Sequence, residues 1–362
     1  MAKSFWQNRT RLSAAGIVFG ILLCSTLMAS QNGGLPGSPL RLSAGAVASG
    51  TGGAYSADPE FMLSWYNPAQ LSLLRDTRAS VGAGLRSLGR TEGWASFDFR
   101  VPPRMGMGLS FVYRGDPFLD DMYDGYYDQE TVVEEKSLGA MNYSFLTMKI
   151  GAGYLVSKRL TLGASVAIMH QSLPAIPQEG KMLNSTSTSI GAFDIAAAYK
   201  INKKMILSAV LRNIGARNTW NISSEDGYGQ TVEEQIPLSL ALAGSYRGSL
   251  LGRDLVWNLD LVNYIFDADL TLFDHPEMVV GTGVDWSFRD DLCLRAGFSD
   301  LELSSELYRR SDEYWDGFSP RVTLGFSYQL DKLSEGMAFN YALTTDRVWA
   351  GIDQQFDITF VF

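Results

Sequence analysis

Few side chains in this chain of 362 residues could carry out catalysis. The sequence has only two histidines, His170 and His275. A serine nucleophile needs a histidine as its general base and a third group that orients the histidine. His170 stands two residues before Ser172 without such a group beside them, and His275 has only Asp274 next to it. We therefore predict a protein that is not an enzyme and that has no catalytic residue, metal site or cofactor.

Ten charged residues stand on the polar side of segments that alternate between apolar and polar positions. Five are aspartates and five are arginines. They are Asp98, Arg100, Arg114, Asp194, Arg212, Asp260, Asp285, Arg295, Arg321 and Asp357. A balanced set of charges does not make a filter for ions of one sign. We expect these side chains to pair with one another and to hold a plug inside a narrow lumen, and a role in selectivity is the alternative.

The segment 115–140 carries eight acidic residues, one lysine and three tyrosines. Clustered carboxylates can bind calcium, but the spacing of these aspartates is not that of an EF-hand loop. We favour a solvated acidic loop. Calcium binding, or a protein partner bound through the tyrosines, remains an alternative.

The N-terminus has the pattern of a secretory signal peptide over residues 1–30. Lys3, Arg9 and Arg11 precede an apolar run of 15 residues, and the first acidic residue of the chain is Asp58. Removal of this peptide would leave one cysteine, so no intramolecular disulfide could form. It would also change the net charge from −9 to −12, because three basic residues leave, which disfavours nucleic acid as a partner.

From Thr77 onward the chain divides into fourteen segments with period-two alternation, as in transmembrane strands. Connections after even segments are short, whereas several of those after odd segments are long. The segments are 77–87, 93–102, 105–114, 141–156, 160–171, 188–200, 204–214, 236–247, 254–265, 277–287, 291–299, 320–330, 336–346 and 353–362. No run after residue 30 approaches the roughly 18 apolar residues of a membrane helix. We predict an all-β fold, a transmembrane antiparallel β-barrel of about fourteen strands over residues 77–362.

The apolar face of each segment should contact outer-membrane lipid. The last residue on this face before a short connection is aromatic in five segments, and the chain ends on an aromatic residue in the same phase. These residues are Tyr154, Tyr199, Tyr246, Trp286, Tyr328 and Phe362. Rings at one level around a cylinder are typical of a membrane-interface girdle. The alternation changes phase between Phe145 and Met148, and we predict a β-bulge there.

The last segment alternates Phe356, Ile358, Phe360 and Phe362. It looks like the C-terminal signal that the outer-membrane barrel assembly machinery reads. We therefore expect this machinery as a partner and the outer membrane as the location.

Residues 31–76 precede the barrel and lack the period-two alternation of its strands. They contain glycines at 50, 52 and 53 and a turn at Asn67-Pro68-Ala69. We predict that this region is a plug, organised around residues 50–74. The residues expected to form it or to lie near a ligand's route are Phe61, Met62, Trp65, Tyr66, Asn67, Pro68 and Ala69.

Several stretches resemble the PorV/PorQ family, within the wider FadL-like group of outer-membrane barrels. They are Gly52 to Ala57, Trp65 to Ala69, Gly151 to Tyr154, Leu160 to Gly163, Phe193-Asp194, Arg212 to Gly215, Ile236 to Leu238 and Leu294 to Phe298. The resemblance implies a type IX secretion component that docks exported proteins at the cell surface, with secretion-system proteins and cargo as partners. The alternative is a FadL-like channel that takes up long-chain fatty acids or other hydrophobic compounds.

Overall fold

The computed structural model describes residues 37–116, 143–178, 181–224, 229–265, 277–303, 320–345 and 351–362. These parts of the chain contain sixteen strands. The strands are β1 Arg78–Leu85, β2 Thr91–Val101, β3 Met105–Asp116, β4 Tyr143–Leu155, β5 Leu160–Gln178, β6 Lys181–Lys200, β7 Met205–Ile214, β8 Arg217–Ser224, β9 Gly229–Gln235, β10 Leu238–Leu250, β11 Arg253–Ile265, β12 Glu277–Arg289, β13 Leu292–Glu302, β14 Arg321–Gln329, β15 Met337–Thr345 and β16 Ile352–Val361.

Three short α-helices precede β1: α1 Ser38–Arg41, α2 Ala46–Gly50 and α3 Leu63–Tyr66. Two 3₁₀-helices span Pro68–Leu73 and Ser87–Gly89. No helix in the described ranges combines the length and the apolar character needed to cross a membrane.

Fourteen of the strands close into an antiparallel barrel, as predicted. Each pairs with its neighbours along the chain, except that β7 pairs with β10, and β1 closes the ring by pairing with β16. The register of that closing pair joins Arg78 to Val361 and Leu85 to Gln354.

The connection 215–235 was predicted as a loop but contains the two remaining strands. β8 pairs with β9 and also with the extension of β6 beyond the barrel, where Leu183 faces Ser224. Both strands are polar and partly exposed, so the apolar alternation that marks a transmembrane strand is missing from them.

Away from the bulges described below, side chains alternate between the two faces of the barrel wall. Outward residues leave large apolar groups uncovered, as in Leu162, Leu242 and Leu324, which are 46%, 52% and 54% exposed. Inward residues of the same strands are mostly buried. An apolar belt of this extent is unfavourable in water and is stable in contact with hydrocarbon. The six girdle aromatics all lie in the outward phase near the short connections, where an amphipathic ring meets both lipid and water.

The predicted bulge in β4 is wrong. β4 pairs with β3 and β5 without a register shift, so Phe145 faces the lumen and is fully buried, while Leu146 faces outward. The change of phase reflects an apolar patch on the inner wall and not an inserted residue.

Bulges lie instead in the strand pairs β5–β6, β6–β7 and β12–β13. Gly191 of β6 has no partner on β5 and has a φ of 106°, which glycine adopts without steric cost. On β7, Arg212 and Asn213 together face Asp194 of β6, and the Asn213 amide donates to the Asp194 carboxylate at 3.0 Å.

Residues 37–74 lie inside the barrel. Helix α2 packs against β14, β15 and β16, whereas α3 and the following 3₁₀-helix pack against β3 and β4. We call residues 37–45, which lie toward the end with the long connections, the strap. In an outer-membrane barrel this is the extracellular end.

Candidate functional site

Glycines on the inner wall let the backbone of the plug approach the strands closely. A methyl group at Gly163 would overlap the backbone of Pro68 and Ala69, and one at Gly283 would overlap Thr51. Any side chain at these positions would push the plug off the wall. The polar face predicted from the sequence is therefore also a surface shaped to seat the plug.

Three of the predicted lumen aspartates bind backbone N–H groups of the plug. Asp357 accepts from Ala46 at 2.8 Å, and Asp98 accepts from Leu63 at 3.1 Å; these are the first residues of α2 and α3. The N–H groups of a first helical turn have no partner within the helix. A wall carboxylate supplies one for each helix, so these charges position the plug.

Asp260 makes the same kind of contact in the middle of the plug. Its carboxylate accepts from the amides of Tyr55 and Ser56 at 3.2 and 2.9 Å. All three aspartates are almost completely buried.

Two arginines hold the strap by its carbonyl groups. Arg114 donates to Pro39 and Leu42, and Arg86 donates to Ser43 at 3.0 Å. Burial lowers the pKa of Arg86, but the carboxylates of Glu92 and Asp353 outweigh burial and raise that pKa above its ordinary value. Arg86 therefore stays charged.

Other lumen charges pair with one another. Asp285 pairs with Arg295, and Asp194 pairs with Lys149 at 2.6 Å. Lys149 was not predicted, although its position in phase with Gly151 places it on the inner face.

Arg321 pairs with Asp353, while Glu92 pairs with both Arg86 and Arg114. Arg100 differs from the other nine predicted residues because it is exposed, beside the turn at 102–104.

The predicted plug residues form the centre of a buried cluster. Met62, Trp65 and Tyr66 pack with Tyr55 and with Trp94 of the wall. The rings of Tyr55 and Tyr66 meet edge to face at 5.0 Å, and burial raises the pKa of both phenols. The Tyr66 hydroxyl accepts from the amide of Ala44 and donates to its carbonyl, which joins α3 to the strap.

The turn after α3 is fixed by the side chain of Asn67. This side chain accepts from Ala69 at 3.0 Å and donates to Ser56 at 2.7 Å, while Pro68 starts the 3₁₀-helix. Phe61 lies apart from the cluster, half-buried beneath the guanidinium of Arg78.

A cavity of about 90 Å³ lies among the strap, the plug and the inner wall. Leu40, Ile236 and Val262 line it with apolar groups, and Trp65, Tyr66 and Tyr264 line it with rings. Its charged lining residues are Arg41, Lys149, Arg212 and Asp260. A cavity that holds benzene measures about 150 Å³. This one must therefore enlarge before it can hold a hydrophobic molecule.

An apolar cluster on the inner wall adjoins this cavity. Its buried residues are Phe145, Ala167, Met169, Ala192, Ala216 and Ile236, and Leu40 of the strap packs against them. Sequence analysis did not predict the cluster. The available signal was the phase change at Phe145, which places an aromatic side chain on the lumenal face.

His170 and Ser172 lie on the outward phase of β5. His170 Nδ1 is 2.9 Å from the Thr188 hydroxyl, and no orienting carboxylate contacts the imidazole within the described ranges. Within the same ranges, no three His, Cys, Asp or Glu side chains are grouped so that they could hold a metal. His275 and most of the acidic segment 115–140 lie outside the described residues.

Neither a protein-family model nor a curated protein sequence matches the chain. Solved structures of FadL-type barrels do match. The Ralstonia pickettii toluene transporter TbuX is 15% identical with a TM-score of 0.59, and the match covers 88% of this chain and 98% of TbuX. The P. putida toluene transporter TodX is 15% identical with a TM-score of 0.55, covering 88% and 99% of the two chains. A Pseudomonas aeruginosa FadL homologue is 12% identical with a TM-score of 0.57, covering 89% and 98%. At these identities the similarity establishes the fold, a FadL-type barrel.

Proposed function

We propose that the protein is an outer-membrane channel through which hydrophobic compounds pass. The observation that carries this proposal is the apolar cluster around Phe145 and Met169 on the inner wall, beside the cavity that the strap closes. Inner walls of water-filled barrels are polar, because ions and polar solutes cross with their hydration. A lumenal apolar surface contacts a hydrophobic compound better than it contacts water.

The fold supports this proposal over ion conduction. Most of the lumen charges pair with one another or bind the plug, and the plug lies inside the barrel. TbuX and TodX, which share the fold, are described as toluene transporters, and passage of hydrophobic compounds through this chain would follow the same plan. Passage requires the plug to move, because the cavity is smaller than such a compound.

Exchange of a fluorescent hydrophobic probe by proteoliposomes tests the proposal. We expect Phe145→Ala to slow probe exchange about tenfold, since it removes a large apolar group from the lumenal wall. Leu146→Ala is the matched control, because the adjacent side chain faces outward. Equal effects of the two substitutions, or the absence of probe exchange by the unmodified protein, would contradict the proposal.

A role in type IX secretion is the second candidate. Its support is the resemblance of residues 52–57 and 65–69 to the PorV/PorQ family, together with the β8–β9 hairpin at the end with the long connections, where exported proteins would dock. In this case, gene deletion would strand cargo with C-terminal sorting domains in the periplasm and leave uptake of hydrophobic compounds unchanged. The channel proposal expects the reverse pattern.

Both candidates share the same route to the membrane. We propose export by the signal peptide 1–30 and recognition of Phe356, Ile358, Phe360 and Phe362 by the barrel assembly machinery. Phe356, Ile358 and Phe360 lie in the outward phase of β16, and Phe362 directly follows the strand in the same phase. They would therefore contact outer-membrane lipid after insertion.

A further inference from the structure

Six cations lie along one side of the barrel rim, at the end with the short connections. They lie in or beside the connections β2–β3, β4–β5 and β6–β7, which are neighbours around the ring. These parts of the chain, 102–104, 156–159 and 200–204, contain no acidic residue. We call the six cations the basic arc: Arg104, Lys158, Arg159, Lys200, Lys203 and Lys204.

The basic arc is exposed and continuous. Among the described residues, no carboxylate lies within the 4.0 Å of an ion pair with any of its six side chains. Backbone hydrogen bonds join the neighbouring connections: the Leu155 amide donates to the Arg104 carbonyl at 2.8 Å, and the Lys200 amide donates to the Arg159 carbonyl at 2.8 Å. Like charges held side by side repel one another, so an anion that binds among them stabilises the rim.

The short connections on the other side of the ring have a different charge pattern. The parts 247–254, 289–291 and 330–336 carry four cations and five acidic residues. Each of their three arginines pairs with a carboxylate: Arg247 with Asp58, Arg253 with Asp290, and Arg289 with Asp291. Unpaired positive charge is therefore a property of the basic arc and not of the short connections in general.

The basic arc borders the surface that faces the membrane. Tyr154 and Tyr199 of the girdle are 47% and 44% exposed, and Lys200 directly follows Tyr199. Val156 and Ile201 lie among the cations and are 41% and 36% exposed. Rings and apolar groups of this kind lie at the level of the lipid headgroups, where lysine and arginine side chains extend toward the phosphates. An acidic soluble protein would not need these apolar groups, so they favour lipid as the occupant.

We propose that the basic arc binds the headgroups of anionic phospholipids in the periplasmic leaflet. The short connections of an outer-membrane barrel lie on the periplasmic side. Phosphatidylglycerol has a net negative charge, whereas the phosphate of phosphatidylcholine is neutralised by the quaternary amine of the same headgroup. Clustered lysines and arginines at a membrane surface attract the anionic lipid. This inference concerns the lipid around the barrel, and it holds whether the protein is a channel or a secretion component.

The test measures which lipid lies next to the basic arc of the full-length protein in phosphatidylcholine vesicles. Val156→Cys, in a background with Cys24→Ser and Cys293→Ser, carries a fluorophore among the cations. Its quenching by nitroxide-labelled phosphatidylglycerol is compared with its quenching by nitroxide-labelled phosphatidylcholine. Leu333→Cys is the control reporter, because it is exposed on the opposite side of the rim. Ile201→Cys replaces the first reporter if Val156→Cys does not fold.

At Val156→Cys we expect phosphatidylglycerol to quench about fivefold more strongly than phosphatidylcholine in low salt, the contribution of roughly one cation near an anionic surface. At Leu333→Cys the two lipids should quench equally. High salt should bring the ratio at Val156→Cys close to one, because the cations are exposed and therefore screened.

Two triple variants test whether the basic arc causes the preference. One replaces a cation in each connection of the arc: Arg104→Gln, Lys158→Gln and Lys203→Gln. The matched control removes the same charge from the opposite side: Arg253→Gln, Arg289→Gln and Lys332→Gln. Heat-modifiable gel migration checks that both variants form the barrel. The first variant should lower the ratio at Val156→Cys below twofold, and the second should leave it unchanged.

Equal quenching by the two lipids at Val156→Cys in the otherwise unmodified protein would overturn the inference. This is also the result expected if an acidic periplasmic protein covers the basic arc instead of lipid. A preference that high salt leaves unchanged would contradict the role of exposed charge. A preference that survives in the first triple variant, or that falls equally in both, would show that the basic arc does not select the lipid.

Discussion

At the scale of single residues, the inner wall holds the plug through a few fully buried polar side chains. Asp357 is the most completely satisfied of them, since one carboxylate oxygen accepts from Ala46 at 2.8 Å and the other accepts from the Asn340 amide at 2.6 Å. An asparagine at this position would place its NH₂ group against either the Ala46 N–H or the Asn340 amide, and two donors cannot hydrogen-bond to each other. A single isosteric change should therefore loosen the start of α2.

We predict that Asp357→Asn destabilises the seated plug by about 2 kcal/mol, the typical cost of losing a buried hydrogen bond to a charged group. Single-channel recording in planar bilayers should show more frequent openings. Asp290→Asn is the control, because Asp290 pairs with Arg253 at the surface, where ion pairs contribute little. Indistinguishable recordings from the two variants would show that Asp357 does not position the plug.

At the scale of elements, the 3₁₀-helix Pro68–Leu73 and the strands around it fit because glycine leaves room for the plug backbone. Gly163 of β5 meets Pro68 and Ala69 in this way, and Gly106 of β3 meets Leu71. The strands could form with alanine at these positions, since their ladder hydrogen bonds do not need glycine. The tight fit serves the plug and not the barrel.

We predict that Gly163→Ala displaces the 3₁₀-helix at a cost of about 1–3 kcal/mol, the usual range for overpacking. The barrel should still form and show heat-modifiable gel migration. Limited proteolysis should cut the plug faster than in the unmodified protein. In Gly93→Ala the added methyl meets nothing closer than 3.7 Å, so proteolysis should be unchanged. Equal protection of the plug in all three proteins would refute this role of Gly163.

The last strand leads to a prediction about assembly. Phe362 is 72% exposed, and its amide donates to Thr77 at 2.9 Å, a backbone bond that does not depend on the side chain. Phe362→Ala should therefore reduce insertion in cells several-fold while barely changing the stability of protein refolded in detergent. Phe362→Tyr keeps the ring and serves as the control. Normal insertion of the alanine variant would rule out the signal interpretation.

At the scale of the whole molecule, the barrel and its plug are separable. The fourteen-strand ring closes through its own ladder hydrogen bonds between β1 and β16, and the plug packs inside it. The β8–β9 hairpin attaches outside the ring by pairing with the extension of β6. Removing either part should leave a closed barrel, but only one of them blocks the lumen.

We predict that deletion of residues 50–74 turns the protein into a constitutively conducting pore in planar bilayers, because the lumen loses its stopper. Deletion of 218–234 removes most of the hairpin and should leave the conductance equal to that of the intact protein. Conductance equal to that of the intact protein after deletion of 50–74 would mean that other parts of the chain close the lumen.

The sequence by itself determined the barrel. Transmembrane strands carry a period-two pattern because each residue faces either lipid or lumen. The local sequence therefore predicts the number of strands, their order along the chain and the face on which most side chains lie. The aromatic girdle and the inward phase of Asp98, Asp260 and Asp357 followed from the same alternation. The hairpin β8–β9 was not predicted from the sequence because its strands are polar and lack the apolar alternation. The predicted β4 bulge was wrong because the apolar residue Phe145 was assumed to face lipid.

Only the tertiary structure decided what the inward residues do. Asp357 and Arg114 bind the plug, whereas Asp285 and Arg295 bind each other. All four side chains nevertheless lie on the inward face of their strands. Asp285 and Arg295 are register partners on adjacent strands, whereas Asp357 meets Ala46, 311 residues away, and no local pattern records a contact of that kind. The apolar cluster at Phe145 likewise joins strands β4, β5 and β6 to the strap, and it exists only once the ring has closed around residues 37–45.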